Sequence, residues 1–129
     1  MFHKNQIVFS NYNDLNLNFD ENLNKKDSIL IKNSKNIKLN ISSKINKIII
    51  ENSSNIILFL PSTISGIDIE KSFNITIVPI KPFDLKLIQC FKSVVLIKIN
   101  KKHHTKLKEG EYFKVISENS SVLIHDELV

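Results

Sequence analysis

The chain has 129 residues, of which 42% are hydrophobic, and a formal net charge of +5, as expected for one domain with a real core. All 18 basic residues are lysine, and the single cysteine excludes an intramolecular disulfide framework. No apolar run is long enough for a membrane span, and the first residues lack a secretory-signal pattern, so we expect a soluble cytoplasmic protein. The abundance of Ile, Asn and Lys is typical of an AT-rich genome.

A repeat organises most of the chain. Isoleucines spaced 19 residues apart mark its units: Ile31, Ile50, Ile69 and Ile88. Each isoleucine is followed by a mostly polar stretch and then by a strand in which apolar residues alternate, which places them on one face. A coil near Phe9 precedes these units, and a degenerate one near Ile116 follows them.

Stacking of the units predicts the fold. One unit cannot bury its apolar face alone, whereas stacked units share a core and pair their strands about 4.8 Å apart. We therefore predict an all-β, right-handed parallel β-helix of about six coils in a single domain, 1–129. Regular coils should span about 5–99, a Lys-rich loop 100–110, and a terminal strand, a β-hairpin or a swapped strand 111–125.

Asparagines recur at the corners of the predicted coils. Asn36, Asn55 and Asn74 share one column, where their side chains can hydrogen-bond along the stack and tolerate left-handed turn geometry. We interpret them as a structural ladder, with ligand binding as the alternative. The 19-residue spacing places Cys90 at a corner too, in a packing role.

Three of the repeated segments carry a family resemblance. IKNSKNIKLNI, IENSSNIILFL and IEKSFNITIVP, with the tail KEGEYFKVISENSSVLI, resemble the C-terminal β-helix domain of cyclase-associated proteins. The resemblance implies a right-handed β-helix that dimerises, partly by exchanging C-terminal strands, binds monomeric actin and assists its nucleotide exchange. The family's N-terminal helical domain, proline-rich stretch and actin-binding linker have no counterpart here, which puts full recycling activity in doubt.

Tubulin cofactor C-like domains are a more distant resemblance. They stimulate GTP hydrolysis with an arginine finger, a planar and permanently charged group. This sequence has no arginine, which disfavours that activity.

An apolar column is predicted to face outward. Alternation places Ile57, Phe59, Val78, Val95 and Ile97 on the outer side of the main strands. An exposed apolar stripe of this kind indicates an interface. The chain's own C-terminal tail, a second copy or a different protein would cover it, and we favour a homodimer.

Lysines form the other candidate surface. The basic candidates are Lys32, Lys35, Lys38, Lys101, Lys102 and Lys106. They are either a solvated face or a patch for an acidic protein. The absence of arginine and the small number of aromatic residues disfavour nucleic acid as a partner.

Catalytic and cofactor motifs are missing from the sequence. Two glycines exclude a phosphate-cradling loop, and no metal-ligand motif is present, so we expect no cofactor, no metal and no enzymatic activity. The sequence thus predicts a non-enzymatic protein-binding module of actin turnover. The alternative is a structural or assembly protein, in a virion or a cytoskeletal polymer. A carbohydrate-active β-helix enzyme would need several carboxylates in one surface cleft, and Asp68 and Glu70 look isolated.

Overall fold

Strands are the only regular elements among the residues that the computed structural model describes, 6–19, 23–100 and 112–127. They are β1 (Gln6–Ser10), β2 (Asn13–Phe19), β3 (Ser28–Lys32), β4 (Lys35–Ile41), β5 (Lys47–Glu51), β6 (Ser54–Ser62), β7 (Ile67–Glu70), β8 (Phe73–Phe91), β9 (Val94–Asn100), β10 (Tyr112–Glu118) and β11 (Ser121–Glu127). All hydrogen-bonded pairs of these strands are parallel. The fold is therefore a parallel β-solenoid, as predicted.

Two columns of strands form the solenoid. The first column stacks β1, β3, β5, β7, the second part of β8, and β10. The second stacks β2, β4, β6, the first part of β8, β9 and β11. The stretch from Leu23 to Asn100, which is described without a gap, makes about four turns. One further rung lies at each end of it, formed by β1 and β2 before it and by β10 and β11 after it.

The C-terminal strands do not form a hairpin, which was one of the three arrangements expected for residues 111–125. A hairpin requires two antiparallel strands paired with each other. Instead β10 pairs with β8 and β11 with β9, both in parallel, so they form one more rung of the solenoid. The predicted Lys-rich loop lies almost wholly outside the described residues. The right-handed winding stays a prediction from the usual handedness of parallel crossovers.

Stacked aliphatic side chains fill the interior. The fully enclosed columns include Ile29, Ile48, Ile67 and Ile88, and beside them Leu39, Leu58, Ile77 and Ile97, all with no exposed surface. β-Branched side chains suit this position because they pack well on a pleated sheet surface. Each such side chain stabilises the fold by roughly 1.5–3 kcal/mol relative to exposure.

A serine ladder closes one corner of the coils. Its members are Ser34, Ser53, Ser72, Ser93 and Ser120, each of which follows a residue with positive φ. Each hydroxyl donates to the carbonyl two residues earlier, at 2.9 Å. It also accepts the backbone N–H at the equivalent position of the preceding coil, at 3.0–3.1 Å. The ladder therefore satisfies backbone donors that a buried corner would otherwise leave unpaired.

The coil spacing changes after Ser72. Successive ladder serines are 19 residues apart up to Ser72, but Ser93 follows after 21. As a result Ile88 pairs with Ile67, and Cys90 pairs with Ile69 in the core. The corner placement of Cys90 is therefore wrong. A slip of two residues keeps every side chain on its own face of the strand.

A second change reverses the predicted facing of β9. The left-handed residue Asn74 has no equivalent in the next coil, so Ile75 pairs with Val95 and Ile77 with Ile97. Val95 and Ile97 are consequently buried, with 2% and 0% exposure. The prediction that they face outward is wrong, because the loss of one residue moves each side chain of a strand to the opposite face.

Candidate protein-binding surface

The outer side of the second strand column carries an apolar face. Its members are the half-buried Ile57, Phe59, Val78 and Leu96, which we call the apolar outward face. In the register of the sheet, Phe59 lies beside Val78, while Thr76 separates Ile57 from Leu96. An apolar surface of this size is unusual on a solvated strand, which makes it a candidate interaction site.

The same side of the solenoid is polar in its first coils. Lys38 and Asn40 precede Ile57 and Phe59 in register. The Asn40 side chain donates to the Asn18 side-chain oxygen at 2.8 Å. The Lys38 ammonium lies 5.4 Å from the centre of the Phe59 ring, a cation–π contact that borders the apolar outward face with a positive charge.

An asparagine ladder runs beside this face. The Asn74 amide donates to Asn55 at 3.2 Å, Asn55 donates to Asn36, and Asn36 donates to Asn13 at 3.0 Å. Asn36, Asn55 and Asn74 all have φ between 56° and 59°, a left-handed conformation that asparagine tolerates better than most residues. The ladder therefore has the structural role that the sequence suggests, and it holds the corner at the edge of the surface.

A groove opens where the asparagine ladder ends. Its volume is about 490 Å³, and Asn74, Val94, Leu96 and Leu123 are among the residues that line it. Val94 continues directly into Val95, so no side chain continues the ladder beyond Asn74. Leu123, in register with Leu96, is 63% exposed.

Comparison with known families identifies the chain's class. The sequence profile described as "Adenylate cyclase associated (CAP) C terminal" matches residues 2–107 of the 129. The chain belongs to the CAP C-terminal domain family. This confirms the resemblance drawn from the repeated segments.

A solved structure of a CAP protein shares the fold. The crystal structure of cyclase-associated protein from Cryptosporidium parvum matches 96% of this chain and 73% of its own, with a TM-score of 0.70. The sequence identity is 20%. None of the proteins with curated descriptions matches by sequence.

The predicted interface residues of this CAP-family domain divide into two groups. Ile57, Phe59 and Val78 lie on the apolar outward face. Val95 and Ile97 lie in the core. Val94 and Leu96 occupy the outward positions that were predicted for Val95 and Ile97. Sequence reasoning thus missed Leu96, Leu123 and Val94.

A signal in the sequence could have set the register of the first strand column correctly. Every ladder serine follows an asparagine or a lysine, as in Asn52-Ser53, Lys71-Ser72 and Lys92-Ser93. Alignment on this dipeptide, instead of on the opening isoleucines, gives the 21-residue spacing between Ser72 and Ser93, but it does not reveal the shorter corner before β9.

The three basic candidates within the described residues lie on different parts of the surface. Lys32 lies on the outer side of the first strand column, Lys35 lies at the corner, and Lys38 lies beside the apolar outward face. Lys101, Lys102 and Lys106 lie outside the described residues.

Carboxylates gather on the other side of the domain. Glu51, Asp68, Glu70 and Glu118 line one groove of about 430 Å³ on the first strand column. Asp68 forms an ion pair with Lys47 at 2.8 Å, and Glu70 lies directly beside Glu51 in register. Asp68 and Glu70 are therefore not isolated, contrary to the expectation from sequence.

Other chemical groups are sparse in the described residues. Burial raises the pKa of the Cys90 thiol to about 11, so it stays protonated at neutral pH. No group of three or more His, Cys, Asp and Glu side chains is placed to hold a metal ion in residues 6–19, 23–100 and 112–127. Over those residues no helix is long and apolar enough to cross a membrane.

Proposed function

We propose that this chain is a non-enzymatic module that binds monomeric actin, as a homodimer, in cytoplasmic actin turnover. The observation that carries the proposal is an apolar outward face on a domain of the CAP C-terminal family. Members of that family are expected to bind actin monomers and to promote nucleotide exchange.

The composition of the face supports a protein partner. Phe59 is an aromatic side chain held against the Lys38 ammonium, and Ile57 and Val78 flank it. Aromatic residues in well-packed surroundings supply much of the energy of protein interfaces, whereas charged rims contribute mainly to association rate and specificity. A face with an aromatic centre and a basic edge fits this pattern.

Exchange of a fluorescent nucleotide on ADP-actin tests the proposal. The wild-type domain should bind ADP-actin at or below tens of micromolar and accelerate release of the nucleotide. Phe59→Asp should weaken binding about tenfold or more, because a carboxylate buried between the two copies would separate the homodimer that binds actin. Asn16→Asp, an exposed change on the same outer side, is the matched control and should leave binding intact. Lack of wild-type binding at tens of micromolar would contradict the proposal.

A second candidate is an assembly protein that associates through the end of the solenoid. The last rung exposes Ile116, Leu123 and Ile124 by 48%, 63% and 49%. Within the described residues no strand lies beyond β10 and β11, and open strand edges of this kind promote association. Light scattering separates the candidates: a defined dimer supports the first, and larger species that grow with concentration support the second.

A further inference from the structure

Two lysines replace asparagine at a strained corner of the solenoid. The residue before each ladder serine has positive φ, and in three of the five coils it is asparagine: Asn33, Asn52 and Asn119. In the two coils between them it is Lys71, with φ 50°, and Lys92, with φ 49°. Lysine lacks the local hydrogen bonding that helps asparagine in this conformation, so these positions cost stability.

Apolar residues replace polar ones in the column beside these lysines. The equivalent positions in other coils are Asn13, Lys35, Ser54 and Ser121. In the two lysine coils they are Phe73, with 57% exposure, and Val94, with 46%. Phe73 is thus largely in contact with solvent, where a serine would avoid the hydration cost.

The two lysines lie next to each other on consecutive coils. The Lys71 N–H donates to the Phe91 carbonyl at 2.9 Å, and the Lys92 N–H donates to the Glu118 carbonyl at 3.0 Å, so both occupy the same position. Parallel coils are about 4.8 Å apart, and like charges on neighbouring strands repel. The Lys92 ammonium lies 5.2 Å from the Phe91 ring, and neither lysine forms an ion pair within the described residues.

These departures from the repeat occur together, next to the groove at the end of the asparagine ladder. Val94 belongs to the coil of Lys92, and it also lines the groove of about 490 Å³. We call the surface of Lys71, Lys92, Phe73 and Val94 the lysine corner. Residues that break local rules in one place without structural benefit indicate function.

We propose that the lysine corner binds a protein segment that carries carboxylates beside an apolar side chain. The two ammonium groups complement the carboxylates, and the groove beside Val94 accommodates the apolar side chain. A peptide fits better than a nucleic acid because the surface has two cations but a large apolar component. This inference does not depend on actin binding at the apolar outward face.

A labelled peptide tests the inference directly. The probe is a fluorescein-labelled synthetic peptide of alternating Glu and Leu, and its binding to the full chain is followed by fluorescence anisotropy at low salt. The wild type should bind it, and binding should weaken as salt is added. The double variant Lys71→Asn/Lys92→Asn should weaken binding about tenfold or more, because both charges are lost.

Restoring asparagine separates binding from folding. The double variant carries the residue of the other coils, so its melting temperature should equal or exceed that of the wild type. The control Lys25→Asn/Lys44→Asn removes two exposed lysines elsewhere and lowers the net charge equally, and it should bind normally. Phe73→Ser, which copies Ser54, should weaken the Glu-Leu peptide while leaving the weak binding of a Glu-only peptide unchanged.

Several results would overturn the inference. They are unchanged binding by Lys71→Asn/Lys92→Asn, an equal loss of binding in the control, and equal affinity for the Glu-only and Glu-Leu peptides. Tighter binding of a single-stranded oligonucleotide or of an anionic phospholipid vesicle would also overturn it, because the partner class would then be wrong. An inactive chain in the actin assay has no bearing on these results.

Discussion

The serine ladder leads to a quantitative prediction for Ser72→Ala. The Ser72 hydroxyl is fully buried, accepts the Ser53 N–H at 3.0 Å and donates to the Glu70 carbonyl at 2.9 Å. The Glu70 carbonyl keeps a second donor, the Asn52 N–H at 3.0 Å, whereas the Ser53 N–H loses its partner. A buried donor left unpaired costs about 1–3 kcal/mol.

This cost corresponds to a measurable change in melting temperature. With about 2.1 cal/mol/K per residue, the unfolding entropy of 129 residues is about 270 cal/mol/K, so 1 kcal/mol shifts the melting temperature by about 4 °C. We therefore expect Ser72→Ala to lower it by about 4–11 °C. Thermal unfolding followed by far-ultraviolet circular dichroism measures this change.

Ser54→Ala is the matched control. It makes the same chemical change at the residue that follows the ladder serine Ser53. The Ser54 hydroxyl forms no hydrogen bond within the described residues. Its melting temperature should fall by no more than about 2 °C. In hydrogen exchange, the Ser53 amide should lose protection only in Ser72→Ala. Equal effects of the two variants, or a protected Ser53 amide in Ser72→Ala, would refute the role of the ladder.

Three further predictions concern the surface, a glycine and the cysteine. Phe59→Asp should give a folded monomer by analytical ultracentrifugation, and a monomeric wild type would contradict the dimer proposal. Gly66→Ala should destabilise the fold by about 2–4 kcal/mol in urea titration, because Gly66 has φ 90° and an added Cβ would lie 2.1 Å from the Leu87 carbonyl oxygen. The raised pKa of Cys90, about 11 against 9.0, means that burial favours the protonated thiol. Stability is therefore complete below pH 9 and falls as pH rises through 11, more steeply in the wild type than in Cys90→Val. A parallel pH profile for the two would show that Cys90 does not contribute.

The sequence allows the repeat to be read correctly only where its length is constant. From Ile31 to Ile69 the spacing, the inward residues and the asparagine ladder all follow from period-two alternation and a 19-residue coil. The match of Ile88 to Ile69 looks equally good, because Ile67 is also an isoleucine and a slip by two preserves the facing. The facing of Leu96 depends instead on a single missing corner residue, which an alternating apolar strand such as VVLIKI does not reveal.

The carboxylate groove could not be predicted from the sequence for a different reason. Its members come from three coils, and Glu51 and Glu118 are 67 residues apart along the chain. Only the three-dimensional stack therefore brings Glu51, Asp68, Glu70 and Glu118 to one groove. Once the register is known, the side-by-side position of Glu51 and Glu70 follows directly from the 19-residue spacing.

Stacks of like charge make the salt dependence of stability a test of the whole register. Glu51 and Glu70 are neighbours on one surface of the solenoid, Lys71 and Lys92 on an adjacent corner, and each pair repels across about 4.8 Å. Salt screens such exposed charges, with a Debye length of about 10 Å at 0.1 M and about 3 Å at 1 M. The free energy of unfolding, measured by urea titration, should therefore rise between low and high sodium chloride. A fold that depends on surface ion pairs would instead lose stability with salt.

Glu70→Gln and Lys71→Asn should each stabilise the fold by about 0.2–1 kcal/mol at low salt, and this gain should shrink as salt is added. A wild type that loses stability with salt, or variants whose gain does not depend on salt, would show that these side chains are not stacked as the register requires.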